Sequence, residues 1–151
     1  MQHHRSKAIA AWLAVLGGTL GLHRMYLHGL ADRWAWAHVV PTALGLIGLH
    51  RVQTLGQDDR LAWLLLPLLG LSISAAMLGA IVIALTPDDR WHTRFNPGDA
   101  VSSGGWAAVL AAVTALLVGG TALTGAIAYG GQKFFEWQLE EQAQKTSRLN
   151  A

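Results

Sequence analysis

Seven histidines are the most evident chemical resource in this sequence of 151 residues. A metal or haem site needs imidazoles brought together, most often by close spacing on one helix or loop. His3 and His4 are terminal, His23 and His28 flank a short polar stretch, His38 and His50 lie far apart along one apolar run, and His92 sits in a polar segment. No HExxH or comparable pair occurs, so the sequence implies neither a metal nor a cofactor. His38 is the best single candidate for an axial haem ligand, because an ionisable group inside an apolar run is a functional hypothesis by default. It lies only four residues inside that run, where an interfacial histidine fits better. Nucleophilic chemistry fares no better. Ser72, Ser74, Ser102 and Ser103 have no G-x-S-x-G frame. Asp88, Asp89 and His92 are close in sequence, but acids in such a place commonly cap the next helix. There is no Walker-type glycine loop and no cysteine. No catalytic residue is expected, and the chain does not read as an enzyme.

The elements that would position any such group are apolar. Charged residues make up 13% of the chain, against about 25% in an ordinary soluble domain. The net charge of +2 and the scattered basic residues give no footing for nucleic acid. Four stretches lack Asp, Glu, Lys and Arg: Ala8 to Leu22, Trp34 to His50, Leu61 to Thr86 and Gly104 to Gln132. Crossing about 30 Å of hydrocarbon takes roughly 20 helical residues. The third and fourth runs exceed that. The first and second are shorter and span only with snorkelling or local thinning; the alternative is a re-entrant or interfacial hairpin. A soluble helical bundle would show a polar stripe every 3.6 residues, and runs such as Leu64 to Leu69 and Ala107 to Val113 show none. Trp34, Trp36, Trp63, Trp91, Trp106 and Trp137 bracket the runs, as indole does at a membrane boundary; Trp12 alone lies inside one. Pro41 and Pro67 fall within runs and are tolerated in membrane helices. The expected fold is all-α: an integral membrane protein of about four transmembrane helices in two helical hairpins.

Four spans would put the N-terminus, the Arg51 to Arg60 loop and the C-terminal tail on one side. That side would hold the larger share of Arg and Lys, so the positive-inside rule places both termini in the cytoplasm. The apolar start resembles a signal peptide, but no small-x-small cleavage pattern follows it, and an uncleaved helix is expected. The Pro87 to Ser103 segment reads as a polar, turn-rich loop. Membrane helices associate through small residues. Gly17 and Gly21 form a GxxxG, and Ala122, Ala126 and Gly130 repeat at every fourth position. Thr121 with Gly125, and Ala75 with Gly79, add to the pattern. The packing they imply is either within the bundle or between copies. The few mid-run hydroxyls, Ser72, Ser74, Thr114, Thr121 and Thr124, give only slight support to a transport path. The tail from Gln132 to Ala151 mixes Phe134, Phe135, Trp137 and Leu139 with Glu136, Glu140 and Glu141. It fits either an interfacial helix or a frayed end.

The most distinctive residues join the first two runs. Gly21, His23, Arg24, Tyr26 and Gly29 form the connector Gly21-Leu22-His23-Arg24-Met25-Tyr26-Leu27-His28-Gly29. Glycines permit sharp turns, Tyr26 suits an interface, and Arg24 suits a lipid phosphate, a helix carbonyl or Asp32. A membrane-boundary turn and a recognition site for protein or lipid both fit. Together with the basic start at Arg5 and Lys7, the glycine-rich first helix and a second apolar run, this segment resembles the TM2 domain family. The resemblance covers roughly residues 5–60; Met25 replaces the usual Phe, and His28 is an extra residue before Gly29. The division it implies is a TM2-like domain at 5–60, a second membrane hairpin at 61–131 and a polar or amphipathic tail at 132–151. It also implies a scaffold, adaptor or regulatory role in a bilayer, in contact with another membrane protein or itself, and no enzymatic activity. The composition points to a bacterial inner (plasma) membrane. A small oligomeric channel or transporter subunit is the alternative.

Overall fold

The computed structural model describes residues 4–99 and 103–149. His3, Ser102, Asn150 and Ala151 lie outside them. The described residues form helices and no strands: α1 (Lys7–Gly17), a short 3-10 turn (Gly18–Leu20), α2 (Leu22–His28), α3 (Arg33–Leu55), α4 (Arg60–Leu85), α5 (Asp88–Phe95) and α6 (Gly105–Leu149). α1, α3 and α4 each begin where a side chain takes up a free amide. Ser6 accepts from the Ile9 amide, Asp32 from Trp34 and Asp59 from Ala62. α3 and α4 run through Pro41 and Pro67.

α4 is the central element. α6 packs antiparallel to it, with Ala108 beside Ala84, Gly119 against Met77, and Ala122 and Ala126 over Gly70. α3 packs antiparallel on another side. A Cβ at Gly45 would collide with the Leu69 backbone, and one at Gly48 with the Leu65–Leu66 backbone. These glycines let the two helix backbones touch. The interior is therefore built mostly from small residues: Ala10, Ala11, Ala14, Ala62, Ala76, Ala80, Ala111 and Ala115 are buried, and among the described residues Leu27, Met77 and Trp91 are the large apolar side chains buried with them. Large apolar side chains point outward instead. Leu64, Leu78, Val82, Leu116, Leu117 and Ile127 are each at least 60% exposed. Burial in water would favour the reverse arrangement.

Among the described residues, α4 and α6 are the two helices long and apolar enough to cross a membrane. The expected four spans in two hairpins are not confirmed, and the first run is divided between short helices. α1 descends from the α5 end of the bundle, with Ala11 beside Ala84 and then Ala14 beside Ala76 and Ala80. At Gly18 the chain meets Ala76, and at Gly21 it reverses in the left-handed conformation (φ 75°). α2 then climbs back, bringing Leu27 against Ala10 and Trp91. The run Ala8 to Leu22 is thus one arm of a short helical hairpin that travels alongside about ten residues of α4, roughly 15 Å.

The N-terminal residues contact the segment around α5, with Arg5 bonded to Asn96 and Lys7 paired with Asp88. The C-terminal half of α6 leaves from the opposite end, past Trp63. The two ends of the described chain thus lie at opposite ends of the bundle. Arg5, Lys7, Arg24, Arg33, Arg90 and Arg94 fall at the α5 end, and Arg51, Arg60, Lys133, Lys145 and Arg148 at the other. That near-even split removes the charge bias on which the expected orientation rested. Within residues 5–60, α1 lies on α4 and α6. At the other boundary there is no break at residue 132: the tail continues α6 as helix to Leu149.

Candidate functional site

The connector is a folded element with a defined job for each residue. Gly21 sits so close to α3 that a Cβ would strike the Ala35 backbone, and Gly29 takes φ 88° where α2 ends. α1 stops at Gly17, so Gly17 and Gly21 flank the 3-10 turn and do not share one helix; Gly17 packs against Leu22 and Gly21 against α3. His23 is buried, 5.6 Å from the His38 ring in an edge-on contact. Arg24 Nε donates to Asp32 Oδ2 at 2.8 Å, which realises one of its three expected partners. Asp32 also accepts from the Trp34 amide. Burial alone would raise the Asp32 carboxyl, but the bonds from Arg24 and Trp34 outweigh it and hold it below its ordinary value. Tyr26 is not a free interfacial anchor. Its hydroxyl accepts the Ser6 amide at 3.0 Å and ties α2 to the start of α1.

The segment expected as a loop contains α5. Asp88 and Asp89 stand in its first turn and His92 and Arg94 in its last, the order a helix dipole favours. Trp91 is 3% exposed and donates to the Arg5 carbonyl, so it is a core residue and not a boundary indole. Asn96 closes the same clamp: it accepts the Arg5 amide at 2.7 Å and donates back to the Arg5 carbonyl at 3.0 Å. Asp88 accepts from Lys7 and from the Gly104 amide. The Lys7 bond is the main reason the Asp88 carboxyl lies below its ordinary value. Of the acids considered for catalysis, Asp88 therefore serves to anchor the N-terminus.

Between α2, the upper half of α4 and α5 lies a cavity of about 680 Å³. Its floor and one wall are apolar, from Ala75, Leu78, Gly79 and Val82 on α4. Its upper rim carries Arg24, His28, Arg90 and Arg94. No Asp or Glu lines it. The sequence pointed to Arg24 and missed Arg90 and Arg94; the signal available was their one-turn spacing after Asp88-Asp89 in a helix-compatible segment. A second cavity of about 380 Å³ lies at the other end, between Arg60, Trp63, Lys133 and Trp137.

Several hydroxyls within the bundle are tied to backbone carbonyls. Ser74 Oγ donates within reach of the Gly70 and Gly119 carbonyls, at 2.7 and 3.1 Å. Thr121 bonds back to Leu117. Thr42 Oγ1 lies 2.6 Å from Ser72 Oγ, 2.8 Å from the His38 carbonyl and 2.9 Å from the Thr19 carbonyl, a buried junction of α3, α4 and the 3-10 turn. Ala122 and Ala126 contact α4, and the nearest side-chain atom to a Cβ at Gly130 would be Pro67 Cγ. Gly125 faces open space. Arg51 holds Asp59 in two bonds, 2.5 and 2.9 Å, so each end of α3 has an arginine paired to the aspartate eight residues later.

No family model matches the chain, and searches of curated proteins and of solved structures find no match.

Proposed function

We propose that this chain is a multi-pass membrane protein of TM2 type that acts as a scaffold, adaptor or regulatory component, with the α2–α4–α5 cavity as its recognition site. α4 and α6 span, α3 accompanies them with about 34 Å of helix, and α1 and α2 dip in from the α5 side and return. The observation that carries the reading is the inverted side-chain distribution: alanine inside, leucine and valine outside. Helices in lipid associate by close backbone contact and leave large apolar groups facing acyl chains. The TM2 resemblance rests on the connector residues, and the cation-rimmed cavity supports the recognition role. Its partners are the bilayer together with another membrane protein or a second copy of the chain. The setting is a plasma (inner) membrane.

Two experiments test this. Alkaline carbonate should leave the protein in the membrane pellet; release into the supernatant would refute the membrane reading. Purification of a tagged full-length chain in mild detergent should retain a defined membrane-protein partner or a homo-oligomer. A monodisperse monomer with no partner that conducts ions in liposomes would refute the adaptor role and favour a channel.

A further inference from the structure

We infer that the α2–α4–α5 cavity holds one anionic phospholipid, with its phosphate between Arg90, Arg94 and Arg24 and an acyl chain along α4. The inference rests on the membrane reading above and names the occupant of that site.

Charge is the first ground. Arg90 and Arg94 stand one helical turn apart on α5, are both exposed and have no carboxylate partner among the described residues. The Arg94 guanidinium lies 5.3 Å from the Phe95 ring centre, which positions it without neutralising it. Arg24 lines the same cavity, with Asp32 on its other side. Three guanidiniums around one space, with no acid in the lining, fit a phosphate, which accepts paired N–H bonds from each fork. Placement is the second ground. α5 follows α4 after two residues, so its arginines stand at the level where a spanning α4 leaves the hydrocarbon. Headgroup phosphates lie at that level. Shape is the third. Below the rim the wall turns apolar, and Leu78 (61% exposed) and Val82 (60% exposed) open it sideways. A soluble anion would use the rim and leave that wall empty; a phospholipid uses both. The volume of about 680 Å³ is within the range of small-molecule sites, about 300–1,000 Å³. Basic cavities between membrane helices are a known means of holding anionic headgroups.

The test is lipid retention by the purified full-length chain in mild detergent, read by native mass spectrometry after mixing with phosphatidylglycerol or phosphatidylcholine. One phosphatidylglycerol per chain should remain, at least tenfold over phosphatidylcholine. The double variant Arg90→Gln/Arg94→Gln should lose that preference, while Arg60→Gln/Arg148→Gln at the other end should keep it. Val82→Trp, which leaves every arginine in place and fills the apolar wall, should also lower retention severalfold. Equal retention of both lipids, or equal loss in both double variants, overturns the inference. Displacement of the lipid by millimolar inorganic phosphate overturns it too, because the site would then take a free anion. A protein that resists carbonate but shows no lipid preference refutes this inference alone; one that carbonate releases refutes the membrane reading.

Discussion

Replacing Gly21 by Ala tests the re-entrant connector at its tightest point. Gly21 is left-handed, with φ 75° and ψ 14°. An L-residue there costs about 1–2 kcal/mol in conformation alone. The added Cβ would also strike the Ala35 carbonyl and Cα. These are backbone atoms, so no side-chain rotation relieves the contact and α3 must move. Overpacking of this kind costs about 1–3 kcal/mol. The sum, about 2–5 kcal/mol, is a large part of a typical stability of about 5–15 kcal/mol. At about 2–4 °C per kcal/mol for a chain of this length, the apparent unfolding midpoint in detergent should fall on the order of 10 °C. Gly21→Asn separates the two causes, since Asn tolerates the left-handed region but still carries a Cβ. It should remain destabilised by about 1–3 kcal/mol, the packing term alone. Gly29→Ala is the complementary control, with φ 88° and nothing within 4 Å of the new Cβ. It should cost about 1–3 kcal/mol from conformation only. A Gly21→Asn protein as stable as the parent would refute the close approach of the connector to α3.

The same geometry predicts opposite signs for two other glycines. Gly45→Ala should destabilise by forcing α3 off the Leu69 backbone, whereas Gly125→Ala, on an open face of α6, should stabilise by about 0.5–1 kcal/mol; equal shifts in unfolding midpoint would contradict the α3–α4 contact. A Thr42→Val and Ser72→Ala double-mutant cycle should return a coupling of about 0.6 kcal/mol, and at most about 1.7, if the two hydroxyls meet as described. Acid should loosen the N-terminal clamp. The folded Asp88 carboxyl lies below its ordinary 3.8, so the stability it supplies is present above that value and is lost as pH falls through the lowered one. Hydrogen exchange around residues 5–11 should therefore accelerate below about pH 3.8, and Asp88→Asn should show the faster exchange already at neutral pH.

The long helices were legible because nothing interrupts them. The runs Leu61 to Thr86 and Gly104 to Gln132 match α4 and the apolar part of α6 to within a residue at each start. The re-entrant turn was not legible as such. Gly18 to Gly21 carries no charged residue and a single hydroxyl, Thr19, so the reversal leaves little mark in hydropathy, and an apolar stretch that turns back reads like one that continues. Its modest length and paired glycines were the available clues, and the re-entrant hairpin stood only as the alternative. α5 was hidden for the opposite reason. Polar residues between two apolar runs read as loop, while Trp91 and Asn96 are polar-looking residues that the fold buries against Arg5. Arg24 drew attention through its place beside the glycines. Arg90 and Arg94 join it only when α2 folds back over α4, a contact across some 65 residues of chain that no local pattern encodes.

The side of the membrane that each end of the chain occupies is the most direct test of the proposed architecture. The chain has no cysteine, so single introduced cysteines report without background. His4→Cys, Thr93→Cys, Gln57→Cys and Thr146→Cys, each at an exposed position, should be tested in sealed native vesicles with a membrane-impermeant maleimide. His4 and Thr93 positions should react from one face, and Gln57 and Thr146 positions from the other. Labelling of the His4 position together with Gln57 and Thr146 would mean that the first run crosses the bilayer, and would contradict the re-entrant hairpin.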